Sequence, residues 1–160
     1  MINGTAEYLD QLANSHKVAF QRERAATLRP TQARMAAAMS EAKLDKNVVS
    51  LILTFGLYSF HPHRSDRPEE AGWLDRTIIG TGGTGAIYRE LKNEKHHVET
   101  TQLAMIQRLW DAGLDADVWR PCDWYSGRIE REIRSLAPKG ARIDTARFPD
   151  LTQQAAWGEW

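Results

Sequence analysis

Two short apolar runs, Asp75–Ile79 and Ala86–Leu91, are separated by the loop GTGGTG, built wholly of Gly and Thr. No other feature limits the fold of this chain so tightly. Runs of this length bounded by glycines predict two strands joined as an antiparallel hairpin. A hairpin centred between Gly82 and Gly83 sets Asp75 opposite Glu90. Opposed residues share a face of a sheet, as do residues two apart, so Asp75, Glu90 and Lys92 fall on one side. Carboxylates directly opposite each other repel unless something compensates. A magnesium-type cation does so with one or two carboxylates, waters and a substrate phosphate. Lys92 then sets a compact positive charge beside an attacking water and the charge developing on phosphorus. The same three residues also read as solvated side chains on an exposed strand. The loop lacks the Lys-Ser or Lys-Thr of a phosphate-binding P-loop and does not open onto a helix, so it reads as a flexible hairpin connection.

Around this hairpin the pattern alternates. Leu44, Val48, Leu51, Ile52 and Phe55 recur at steps of three and four within a helix predicted over Thr31–Phe55. Leu57–Phe60 reads as a strand stopped by Pro62, Thr101–Ala112 as a helix capped by Gly113, Asp117–Arg120 as a strand stopped by Pro121, and Trp124–Leu136 as a last helix. The expected fold is α/β, a small mixed β-sheet flanked by helices in three layers. Residues 1–39 form a predicted N-terminal helical extension, 40–137 the central domain, and 138–160 a tail carrying Trp157 and Trp160.

Among 160 residues, 21 Lys and Arg balance 21 Asp and Glu, which argues against a protein that coats nucleic acid yet allows a nuclease whose acidic site offsets a local basic surface. The single cysteine, Cys122, excludes an intrachain disulfide and a four-cysteine zinc site. The first residues lack the basic and apolar regions of a secretory signal, and no run approaches the roughly 20 apolar residues of a membrane span. A cytoplasmic protein with no membrane partner is expected.

The run FHPHRSDRPEEAGWLDRTIIG…AIYRELKNEKHHVETTQLAMIQRLWDAGLDADVWRPCDW resembles the VRR-NUC nucleases, a branch of the PD-(D/E)xK superfamily. The resemblance extends from about Ser40 to Leu136 and includes SEAKLDKNVV, the Gly-Trp-x-Asp element, Arg-Glu-Leu-Lys, the helix start at Thr101-Gln102 and VWRPCDW. It implies a restriction-endonuclease-like core and Mg²⁺- or Mn²⁺-dependent phosphodiester hydrolysis. It implies Asp75 and Glu90 as metal ligands, Lys92 as the catalytic lysine, the Leu91 carbonyl as a further ligand, Glu41 as an additional first-helix acid, and Gln102 as the Gln opening the helix after the active-site strand. It also implies a standalone phage or prophage type, at work in the host cytoplasm, of which some members cut branched DNA as dimers. Two positions depart from the family. Leu74 stands where Pro is usual, and Arg76 where an apolar residue is common. Pro149-Asp150 has no acid-x-Lys downstream and is a chance match.

His61, His63, Arg64 and Arg67 lie between the first two strands, where they face DNA phosphates or simply line a polar loop. His61, Arg64, Gln102 and Arg120 are the DNA-binding candidates. Trp119 and Trp124 are set to stack on bases or to pack in the core, and Trp73 to pack beside Asp75. His96 and His97 read as solvated, and no His–Cys122 set has zinc spacing. Arg22, Arg24, Arg29 and Arg34 belong to a segment that embraces a second subunit, touches DNA or is solvated. Trp157 and Trp160 are candidates to anchor a partner or to fold back on their own domain. The leading expectation is a metal-dependent DNA endonuclease, structure-specific for branched or flapped DNA and homodimeric. The alternative is a catalytically inactive nuclease-fold adaptor for a viral or host protein.

Overall fold

The computed structural model describes residues 28–62 and 72–138. Nine elements follow in order: α1 (Pro30–Ala38), α2 (Glu41–Thr54), β1 (Tyr58–Phe60), β2 (Arg76–Ile79), β3 (Ala86–Leu91), α3 (Thr100–Asp111), β4 (Asp115–Trp119), α4 (Pro121–Tyr125) and α5 (Arg128–Ser135). Two expected helices are each split. Extended backbone at Met39 and Ser40 ends α1, and the Ser40 side chain accepts from Lys43 N at 3.2 Å to start α2. Gly127, at φ +74°, separates α4 from α5 in a conformation that costs a side-chain-bearing residue energy. Pro121 both stops β4 and opens α4, where its missing N–H would have had no helical partner.

The strands lie in the order β1-β2-β3-β4. The first three are antiparallel, and β4 joins β3 in parallel after the α3 crossover. The fold is therefore α/β, with a small mixed sheet flanked by helices. The hairpin register pairs Arg76 with Arg89 and Ile79 with Ala86, the register expected from a centre between Gly82 and Gly83.

Alternate strand residues feed two apolar clusters. Ile78, Ile87, Leu91 and Trp119 meet Leu44, Val48 and Ile52 of α2 and Ile129 and Ile133 of α5 on one face. Leu74 and Ala116 meet Ile106 and Leu109 of α3 on the other. The GTGGTG loop is held in place. Thr81 N and Thr84 Oγ1 donate to the Leu136 carbonyl at 2.9 and 3.0 Å, which satisfies an otherwise orphan acceptor after α5. Expected as a flexible connection, it ties the hairpin to the last helix.

Of the expectations above, residues 1–27 of the N-terminal extension, with Arg22 and Arg24, lie outside the described residues, and so do His63, Arg64, Arg67 and the tail from 139 on, with Trp157 and Trp160. Among the described residues no helix is long and apolar enough to cross a membrane.

Candidate active site

The site grows from the end of the hairpin away from its loop. Gly72 leads the chain toward β2 at φ +81°, where a Cβ would lie 2.6 Å from the Thr101 carbonyl oxygen. Only glycine lets the chain pass so close to the start of α3. Trp73 then sets its ring edge-on to Tyr88, with centroids 6.0 Å apart. Leu74, where the resembled family has Pro, is 1% exposed within the α3 cluster. Burial rather than ring stiffness fixes the residue before Asp75. The second departure has an equally definite place. Arg76 makes a two-pronged pair with Asp45 of α2, at 2.8 and 2.7 Å. Asp45 lies one turn beyond Glu41, so this pair staples the helix bearing Glu41 to the strand that follows Asp75.

Asp75 and Glu90 come together. Asp75 N donates to Glu90 Oε2 at 3.3 Å, and Asp75 Oδ2 accepts from Leu91 N at 2.9 Å. Asp75 Oδ1 takes no hydrogen bond among the described residues. Glu90 Oε1 accepts from Lys92 Nζ at 2.6 Å and from Gln102 Nε2 at 2.5 Å. The Gln102 Oε1 meanwhile accepts from Glu99 N at 3.0 Å, so the amide is oriented by the helix start and aimed at the carboxylate. Burial, then the Asp75 charge, pushes the Glu90 carboxyl up to about 7 against the opposing pull of Lys92. Burial works to lower the Lys92 ammonium, but the Glu90 hydrogen bond and the charges of Glu90, Glu41 and Asp75 outweigh it and raise it. Lys92 is therefore a held cation at neutral pH.

Glu41 stands at the first turn of α2 and acts on the Lys92 charge. Both residues line an open cleft of about 640 Å³ with Lys95, His96 and His97. Among the described residues no three His, Cys, Asp or Glu side chains gather to hold a metal. Asp75 and Glu90 are the carboxylates that would hold an ion here. A pair of carboxylates open to water would suit a hard cation such as Mg²⁺ or Mn²⁺.

The remaining candidates separate. His61 Nδ1 donates to the Asp75 carbonyl at 2.6 Å, which braces the main chain that carries the acid. Gln102, expected at DNA, faces Glu90 instead. Arg120, expected at a DNA surface, is 5% exposed and binds the carbonyls of Asn93 and His96, the latter at 3.1 Å. It shapes the loop after Lys92. Trp119 is fully buried, and Trp124 packs against the same core. Cys122 is buried, its thiol pushed up by burial and by Asp123. Sequence reasoning missed the Arg76–Asp45 staple, although the unexpected charge at position 76 was its signal.

No protein-family model, curated protein or solved structure matches the chain.

Proposed function

We propose that this chain is a Mg²⁺- or Mn²⁺-dependent nuclease that hydrolyses phosphodiester bonds in DNA, with branched or flapped substrates as the preferred class. The observation that carries the reading is the meeting of Asp75, Glu90 and Lys92 at one end of β3, beside an open polar cleft. An ion held there would supply charge for the phosphate and acidify a water. Asp75 and Glu90 would hold that cation. Lys92 stands over Glu90, steadies the attacking water and faces the charge that builds on phosphorus. Gln102 keeps the Glu90 carboxylate turned toward Asp75, and His61 fixes the Asp75 main chain. Glu41, across from Lys92, tunes its charge. Catalysis as a homodimer in a cytoplasm belongs to the same proposal.

One observation favours a second reading, a metal-free adaptor. Glu90 is fully buried and both of its oxygens already accept hydrogen bonds within the protein. Cleavage of labelled linear, flapped and four-way DNA with Mg²⁺ and with Mn²⁺ separates the two readings, with Lys92→Ala and Asp75→Ala run in parallel. The nuclease reading expects metal-dependent cutting that both substitutions abolish without loss of fold. A folded wild-type protein that neither cuts nor takes up metal in calorimetry overturns it in favour of the adaptor.

A further inference from the structure

One face of the sheet is only half covered. Helix α3 lies over β3 and β4 through Leu74, Ile106, Leu109 and Ala116. On the same face, Tyr58 and Phe60 of β1 and Ile79 of β2 stand 65%, 50% and 47% exposed. They are adjacent, because Tyr58 pairs with Ile79 and Phe60 lies two residues on. β1 is also an edge strand. Three large apolar side chains together on an uncovered edge are uncommon in a protein that stays soluble by itself, and edges are ordinarily protected.

We propose that residues 139–160 dock over this open half-face, with Phe148, Leu151, Trp157 and Trp160 supplying the apolar cover. Three observations select this segment. The first is its point of departure. Leu136 is hydrogen-bonded to Thr81 and Thr84, in the loop that begins at the residue after Ile79, and the described chain ends at Pro138. The second is the opposite position of the other terminus. Gln32 of α1 donates to the Tyr125 carbonyl of α4 at 3.3 Å, and α4 follows β4, the far edge of the sheet from β1. The third is length and content. The ten residue-to-residue steps from Pro138 to Phe148 reach up to roughly 33 Å when extended, against about 4.8 Å from strand to strand. The segment's Phe148, Trp157 and Trp160 offer large apolar area to bury. The inference stands apart from the nuclease reading.

The test uses thiol reactivity in the full chain, whose own Cys122 is buried. Tyr58→Cys and, separately, Ile79→Cys report on the patch. Leu53→Cys, 70% exposed on α2, is the freely reacting control. Each is made in the wild-type chain and in one where Phe148, Leu151, Trp157 and Trp160 are all changed to Ser, with near-ultraviolet circular dichroism confirming the fold. The expected result is a reaction with a bulky maleimide that is at least about tenfold slower at both patch positions in the wild-type tail, and restored by the Ser changes. Patch thiols as reactive as the control overturn the proposal. Protection that survives the Ser changes overturns it in favour of the N-terminal segment, and protection lost on dilution overturns it in favour of a second copy.

Discussion

Two clusters of buried charge lie on opposite faces of this sheet, and they are built differently. Behind it, Glu132 Oε2 takes Arg89 Nε and Nη2 at 3.2 and 3.0 Å and Trp119 Nε1 at 2.8 Å. Its Oε1 meets Arg128 Nε at 2.5 Å, and Arg128 also reaches Asp117 and Asp123. Arg89 stacks over the Trp119 ring at 5.3 Å. In front, Asp75, Glu90 and Glu41 share one ammonium, Lys92, beside the cleft. Forked guanidinium donors lock the first cluster into one geometry, whereas a single point charge ties the second together beside the cleft. The contrast separates a network pinned by several directed donors from one in which a single ammonium carries the positive charge.

Stability should divide along this line first. Arg89→Met leaves the partly exposed Glu132 short of two donors and removes a buried, stacked guanidinium, and is expected to cost about 2–4 kcal/mol in urea unfolding. Lys92→Met is expected to cost under about 1 kcal/mol, because Glu90, already pushed up to about 7, takes a proton instead. Equal losses would erase the distinction. Activity should divide the other way. Glu90→Gln is expected to lower cleavage on the order of 10²–10³-fold while melting near the wild-type temperature. Glu132→Gln should keep cleavage and lose stability. A Glu90→Gln protein that still cuts at the wild-type rate removes Glu90 from the chemistry.

Acidity sharpens the comparison. Both clusters contain an acid pushed up chiefly by burial, Glu90 to about 7 and Asp123 to about 8. An acid whose folded value is raised binds its proton more tightly in the native state. Its stabilisation is full below the unfolded value and is lost as pH rises through the folded one. The melting temperature should therefore fall by several degrees between pH 5 and 8, through both groups. A cation between Asp75 and Glu90 favours the carboxylate form, so Mg²⁺ should raise the melting temperature more at pH 8 than at pH 6. Glu90→Gln should abolish this response and Asp123→Asn should keep it. A Mg²⁺ effect that is independent of pH, or that survives Glu90→Gln, would place the ion elsewhere.

The hairpin was legible because its logic is local. Two runs of fixed length and a glycine loop determine the register, and the register alone opposes Asp75 to Glu90. The stripe of α2 was legible for the same reason. What escaped depends on partners distant in sequence. The break at Met39–Ser40 lies inside an otherwise helical run, where only Ser40 and its bond to Lys43 N decide the stop. Arg120 carries no local mark of burial, and only the packed loop carbonyls of Asn93 and His96 draw it inward. Gln102 likewise offers a polar amide that DNA or a carboxylate could take. The fold gives it to Glu90 because the α3 start sits over β3.

That assignment of Gln102 yields the smallest and most discriminating expected effect. If its amide turns the Glu90 carboxylate, Gln102→Leu frees Oε1 to rotate on Lys92, and the metal pair loses alignment rather than charge. Cleavage should fall about tenfold, through weaker Mg²⁺ affinity, and excess Mg²⁺ should recover most of it. The helix also loses its bond to Glu99 N, for about 1 kcal/mol in unfolding. Gln102→Glu keeps an acceptor for Glu99 N but sets a second carboxylate against Glu90, so it should retain the helix start and still lose activity. Were Gln102 a DNA contact instead, both variants would weaken DNA binding in the absence of metal, and added Mg²⁺ would not restore cleavage. A metal titration of Gln102→Leu cleavage, with DNA affinity measured in chelator, therefore decides whether the front cluster is positioned by α3 or by its substrate.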